Sequence, residues 1–252
     1  MELCKVCRDR GVIVQGNLAV PCNCSAQRAI RRRFSDSCLP NALRACTFDK
    51  FSFKYYSRQI IDSPKGISYH ESARLTFSAA LAFVEDFPKK AGVDGLLFTG
   101  PVGSGKTFLA CCIANALLDK GCPVLFLVVP DLLDRIRSTY DSNRAPGDLT
   151  EHEILDAARQ TPLLILDDLG AHNYTDWVRN KLYSILNYRL NHSLPVIITS
   201  NINLEDLEEY LGERTTSRIY QMCRPYRLLV DMDIRVLQRQ GKIRSQESGI
   251  RN

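Results

Sequence analysis

The run Gly95-Leu96-Leu97-Phe98-Thr99 followed by Gly100-Pro101-Val102-Gly103-Ser104-Gly105-Lys106-Thr107 constrains this chain more than any other feature. An apolar stretch of strand length ends in a loop that matches G-x-x-x-x-G-K-[ST] at every fixed position, and the loop then opens a helix-length segment. The glycines allow backbone N–H groups to converge on phosphate oxygens, and the helix N-terminus adds a favourable dipole. Residues 100–107 are therefore the expected nucleotide cradle, with Lys106 reaching the terminal phosphates of ATP and Thr107 ligating Mg²⁺.

Around this loop the sequence alternates between two kinds of segment. Short apolar runs at Gly95–Thr99, Val124–Val129, Leu163–Leu166, Val196–Thr199 and Leu228–Asp231 read as strands buried on both faces. Helices are expected near 106–120, 131–141, 150–160, 175–192 and 204–222. Another is expected at 70–87, closed by Pro88. The pattern predicts a three-layer α/β sandwich with a parallel five-stranded sheet.

Two strand ends carry polar chemistry. Leu163-Leu164-Ile165-Leu166-Asp167-Asp168 places two acids after an apolar run. Asp167 suits the Mg²⁺ shell and Asp168 suits orienting and polarising an attacking water. The run Ile197-Ile198-Thr199-Ser200-Asn201 ends in an amide that can position the same water. Downstream, Arg214 and Arg218 lie four residues apart on one helical face. They suit either a solvated face or an arginine finger inserted into a neighbouring subunit.

The first 50 residues hold nine Lys/Arg against four acids, which accounts for the whole net charge of +5, and residues 235–252 add a second basic cluster. Basic ends on a balanced body suit a polyanion or an acidic partner as well as they suit solvent. No apolar run approaches the roughly 18 residues of a membrane helix, and the first residues lack a secretory apolar stretch. A cytoplasmic protein with no membrane partner is expected, and its ten cysteines are then thiols rather than disulfides. Cys4-x-x-Cys7 and Cys22-x-Cys24 supply four thiolates in two knuckles, the set a closed structural Zn²⁺ site requires. Gly11 and Gly16 fit a hairpin between the halves, and a basic helix with Arg28 and Arg31-Arg32-Arg33 follows.

The order of these features resembles the AAA+ ATPases, specifically the DnaC-type replicative helicase loaders and the related IstB transposition helpers, over about 47–234. GPVGSGKT, LLILDDLG (163–170), ITSN (198–201) and LGERTTSRI (211–219) carry the resemblance. It implies that Lys106 and Thr107 bind phosphate and Mg²⁺, that Asp167 and Asp168 are the metal-binding and catalytic acids, and that Asn201 senses the γ-phosphate. It further implies that Arg218 is the trans-acting finger, with Arg214 as second choice. Tyr140, and Thr175 with Trp177, fall where loaders approach DNA, although both aromatics also suit packing. No helical lid with a further nucleotide-sensing arginine is expected after the last strand, and turnover is expected to be modest without DNA or a partner.

The chain thus reads as a zinc-binding partner-interaction module (1–37), a connector and helix (38–90), an AAA+ ATPase domain (91–234) and a basic tail (235–252). The expected activity is ATP-dependent loading of a hexameric replicative helicase onto single-stranded DNA by an ATP-assembled homo-oligomer. An IstB-like helper that serves a transposase, and a nucleotide-dependent switch with little hydrolysis, are the alternatives.

Overall fold

The computed structural model describes residues 6–8, 10–15, 18–22, 25, 43–87, 89–90, 92–140, 149–170 and 174–240. Strands β1 (Val12–Gln15) and β2 (Leu18–Pro21) pair antiparallel, with Val12 opposite Pro21, so the hairpin expected near Gly11 and Gly16 forms. A second small hairpin, β3 (Ile61–Asp62) with β4 (Ile67–Ser68), leads into helix α1 (Tyr69–Asp86). Ser68 starts that helix by accepting the Glu71 N–H at 3.1 Å.

From here strands and helices alternate. Strand β5 (Gly95–Thr99) precedes α2 (Lys106–Asp119), and β6 (Val124–Val128) precedes α3 (Val129–Ser138) and α4 (Glu151–Gln160). Strand β7 (Leu163–Leu169) is followed by α5 (Asp176–Asn191), and β8 (Val196–Ser200) by α6 (Leu207–Leu211) and α7 (Glu213–Met222). Strand β9 (Cys223–Arg227) completes a five-stranded parallel sheet in the order β6-β7-β8-β5-β9. The sheet is the parallel α/β sandwich that the alternation implied.

Side chains on a strand point alternately to its two faces, so each buried strand feeds two cores. Leu96, Phe98, Phe126, Ile165 and Ile197 pack on one side with α1 and α2. Leu97, Leu125, Leu164, Leu166 and Ile198 pack on the other with α3 to α7. The connector joins the first core through aromatic contacts. Phe48, Phe51 and Phe53 each lie within 5.5 Å, centroid to centroid, of Phe77 on α1. Asn115 of α2 holds the connector's backbone by donating to the Leu43 and Cys46 carbonyls at 3.0 and 2.8 Å.

Three expectations need correction. The last strand is Cys223–Arg227, which ends directly before the apolar run Leu228–Asp231. Strand β9 lies at the sheet edge, where Pro225 is tolerated and Arg224 stays exposed, so its sequence is not apolar. Leu228-Leu229-Val230 is buried instead as an extended crossing beneath the phosphate loop, where the Leu228 N–H donates to Thr99 O at 2.8 Å. The helix expected over 204–222 is two helices broken at Gly212, whose φ of +79° is a left-handed conformation that ends α6. Finally, β7 runs through both acids to Leu169 rather than stopping at Leu166.

Candidate active site

The site lies at the carboxyl ends of β5, β7 and β8, where open parallel sheets bind ligands. Gly100 leaves β5 with φ +143°, and a Cβ there would fall 1.9 Å from the Leu228 carbonyl oxygen, so the Leu228 backbone leaves room only for glycine. Tyr56 of the connector donates its hydroxyl to Ser104 O at 2.8 Å and pins the loop from outside. Lys106 is buried at the first turn of α2, and its Nζ donates to Gly100 O and Pro101 O, both at 2.8 Å. Burial pushes its pKa down to about 8, while Asp167 and Asp168 pull the other way. A cation held this way is ready to exchange loop carbonyls for phosphate oxygens.

The acids are set by a defect in the sheet. The β7–β8 register shifts between Leu166 and Leu169, a bulge that re-aims the intervening side chains. Asp167 points into the interior, and its Oδ1 accepts from Thr107 Oγ1 at 2.9 Å and Thr199 Oγ1 at 2.6 Å. Burial raises its carboxyl pKa, and the two hydroxyl donors oppose that rise. Asp168 sits at φ +61°, a conformation costing a non-glycine residue on the order of 1–3 kcal/mol. Its N–H donates to Thr199 Oγ1 at 3.0 Å, and its Oδ1 accepts from Asn201 Nδ2 at 2.8 Å.

Thr199 therefore links both acids, donating to one and accepting from the backbone of the other, a position that sequence reasoning gave no role. The signal was the polar tip of an otherwise apolar strand, which drew attention only to Asn201. These groups open onto a cavity of about 530 Å³, a size suited to a small-molecule ligand. Gly103, Gly105, Lys106, Thr107, Asp167, Asp168 and Asn201 line its polar end, and Phe51, Tyr55 and Tyr56 supply aromatic surface. Ile234, Arg235 and Gln238 line it as well. The aromatic connector and this last segment were both missed as site elements.

The remaining candidates lie outside that cavity. Arg218 is half-buried on α7, where its Nε donates to Asn187 Oδ1 of α5 at 3.0 Å, and Arg214 is exposed one turn earlier. Tyr140 and Trp177 meet edge to face at 6.1 Å, and the Lys181 ammonium lies 5.6 Å from the Trp177 ring centroid. Glu151 accepts from both the Tyr140 hydroxyl and Lys181. The Thr175 hydroxyl caps α5 by accepting the Val178 N–H at 3.5 Å. Cys7 and Cys22 are buried, whereas Cys4, Cys24 and the basic stretch Arg28 to Arg33 lie outside the described residues. Among the described residues, no three metal-ligating side chains converge and no helix is long and apolar enough to cross a membrane.

Comparison with known proteins places this geometry. The Phage-like element PBSX protein XkdC of Bacillus subtilis is 28% identical over 90% of this chain and 82% of its own length. The replicative helicase loader DnaI of Bacillus subtilis is 29% identical over 60% of this chain, so the match spans about half (51%) of that loader. Among solved structures, the crystal structure of the DnaC helicase loader superposes with a TM-score of 0.60 at 27% identity, covering 76% of this chain and 100% of that one. The family described as "IstB-like ATP binding protein" matches residues 68–220, which include the phosphate loop, both acids, Asn201 and the two arginines of α7. A match over more than half its length shows that the chain belongs to the IstB-like ATP-binding protein family, on an α/β fold shared with DnaC-type loaders.

Proposed function

We propose that the chain is an ATPase that loads a hexameric replicative helicase onto single-stranded DNA, with hydrolysis governed by assembly into an ATP-bound oligomer. The convergence of Thr107, Asp167 and Thr199 beside the Asp168–Asn201 pair carries this reading. Thr107 and Asp167 are the groups that would hold Mg²⁺, which supplies charge neutralisation on the transferring phosphoryl group. Lys106 contributes positive charge at the same phosphates. Asp168 and Asn201, already joined at 2.8 Å, form an acceptor–donor pair that can orient one water for in-line attack. Asp168 accepts a hydrogen bond from that water as it attacks, and Asn201 fixes the carboxylate.

Arg218 completes the site of an adjoining copy in this reading, since it lines no part of the cavity in its own chain. Arg218→Ala is expected to lower DNA-stimulated turnover by roughly 10³-fold or more while sparing ATP binding. Turnover at the normal rate in that variant would remove the trans contribution. If Arg214→Ala alone produces the loss, the role passes to the exposed neighbour. Tyr140 and Trp177, with Thr175 at the start of the helix that carries Trp177, offer stacking surface to single-stranded DNA, a mode of binding that is tolerant of sequence.

The first segment fits a structural zinc site. Val14 and Leu18 of the β1–β2 hairpin are about 70% exposed, so among the described residues the hairpin has no apolar core, yet Cys7 and Cys22 nearby in sequence are buried. A backbone turn follows each of these cysteines, with the Arg10 N–H donating to Cys7 O at 3.1 Å and the Ser25 N–H to Cys22 O at 2.8 Å. Cys4, Cys7, Cys22 and Cys24 would hold the ion and fold a module that grips the client. Elemental analysis should find one zinc per chain, lost in Cys22→Ser together with the ordered fold of this segment. A well-folded, metal-free segment would refute the site.

The family description favours one second reading, an IstB-like helper that serves a transposase with the same engine. Affinity capture with ATP from the native host separates them. Recovery of a replicative helicase supports the loader, and recovery of a transposase without helicase overturns it. A third protein class with neither, together with negligible hydrolysis on DNA, would leave a nucleotide-dependent switch.

A further inference from the structure

Beyond the edge strand, the described chain up to residue 240 returns to the nucleotide site. After the buried Leu228–Val230 crossing it turns, and residues 234–240 are helical. The Ile234 N–H donates to Gly103 O at 3.1 Å, fastening the turn to the crest of the phosphate loop. The Asp233 carboxylate lies so close to that crest that a Cβ on Gly103 would fall 2.0 Å from its Cγ. Gly103, at φ +73°, is thus glycine for two reasons at once, its backbone conformation and the carboxylate pressed on it.

Arg235 folds back on the same acid. Its Nη2 donates to Asp233 Oδ2 at 3.0 Å and its Nε to Oδ1 at 3.2 Å, while its backbone N–H donates to Oδ1 at 2.8 Å. Ile234, Arg235 and Gln238 share one helical face and line the cavity. A guanidinium fork donates to a carboxylate or a phosphate with similar geometry, and a phosphate carries more charge. The arginine is therefore held at the cavity rim by an anion that occupies the place of a better one.

We propose that Asp233 and Arg235 form a nucleotide-responsive latch on the phosphate loop. Arg235 transfers its fork from Asp233 to a phosphate oxygen of the bound nucleoside di- or triphosphate, and Asp233 opposes the transfer. The proposal rests on the nucleotide-binding reading above and supplies, from the segment after β9, the phosphate-contacting arginine not expected there. It also gives the two residues opposite signs. Arg235 is a binding group, whereas Asp233 is a competitor that sets the free-state position of the turn.

The test is fluorescent ATP and ADP binding with Mg²⁺ to the full chain and to Lys106→Ala, Arg235→Ala, Arg235→Lys and Asp233→Asn, with melting temperatures taken without nucleotide. Arg235→Ala should weaken binding about tenfold, the low end for a charge-assisted bond at a partly exposed group. Arg235→Lys should recover part of that loss. Asp233→Asn keeps a helix-capping side chain but removes the competing charge, and should strengthen binding about threefold. A pair that only braces the turn would weaken binding in both variants and lower both melting temperatures. That pattern, or wild-type affinity in Arg235→Ala, overturns the latch. If Lys106→Ala binds like wild type, or wild type binds nothing, the nucleotide site itself falls and the latch with it. Loss in Lys106→Ala with no change in Arg235→Ala would remove the latch alone.

Discussion

Lys106→Ala should weaken ATP binding by about thirtyfold or more while leaving the fold intact. Among the described residues the buried ammonium donates to Gly100 O and Pro101 O at 2.8 Å and to Ser104 Oγ at 3.4 Å, all neutral groups of one loop, so removing it breaks no ion pair among them. The nucleotide, in contrast, loses a charge-assisted contact in a site shielded from water. Truncating one partner of such a pair costs about 2–5 kcal/mol, or roughly thirtyfold to several thousandfold in affinity. Titration calorimetry of the variant against wild type measures this directly. Unchanged affinity with an unchanged fold would refute the phosphate-loop assignment.

Arg189→Met should cost about 3–5 kcal/mol of folding stability, the sum of several stranded carbonyls at roughly 1–3 kcal/mol each where they cannot reach water, and a large share of the 5–15 kcal/mol typical of a domain. Arg189 is fully buried on α5, and among the described residues its guanidinium hydrogen-bonds to backbone carbonyls. Nη1 donates to Ala158 O, Arg159 O and Thr161 O at 3.0, 3.1 and 2.8 Å, and Nη2 donates to Pro162 O and Pro195 O. One side chain thus gathers the end of α4, the start of β7 and the approach to β8, at the opposite end of those strands from the nucleotide site. Burial pushes its pKa down to about 9, which still leaves it charged at neutral pH. A methionine fills similar volume but strands those carbonyls without donors, each a desolvated group. A fall in melting temperature of roughly 6–20 °C is expected. Arg189→Lys, with a compact ammonium in place of the fork, should recover only part of it. A loss below about 1 kcal/mol in urea unfolding would show that the carbonyls find other donors.

Much of the frame was legible in advance because it is written in local periodicity. Gly95–Thr99 appears as read, and β6 and β8 lie within a residue of the runs that suggested them. The helices over 106–119, 151–160 and 176–191 do likewise. Thr150 and Glu153 form a reciprocal capping box, and Thr175 caps α5, two caps that sequence reasoning passed over. Strand β9 was misplaced because an edge strand with Arg224 and Pro225 does not need to be apolar, whereas the irregular crossing at Leu228–Val230 does.

The sequence by itself determined that a strand would turn into a helix through a loop fit for phosphate, and that acids and an amide would tip two further strands. A hydrophobic period and a glycine-rich turn act over a few residues, so they need no knowledge of the rest of the chain. Only the tertiary structure decided that Thr199 joins Asp167 to Asp168 across 32 and 31 residues, and that a bulge turns Asp168 into a left-handed conformation. It alone decided that Arg189 is buried and that Arg235 reaches the cavity. Those outcomes depend on strand order and on which surfaces exclude water, and both are properties of distant segments meeting rather than of any stretch read alone.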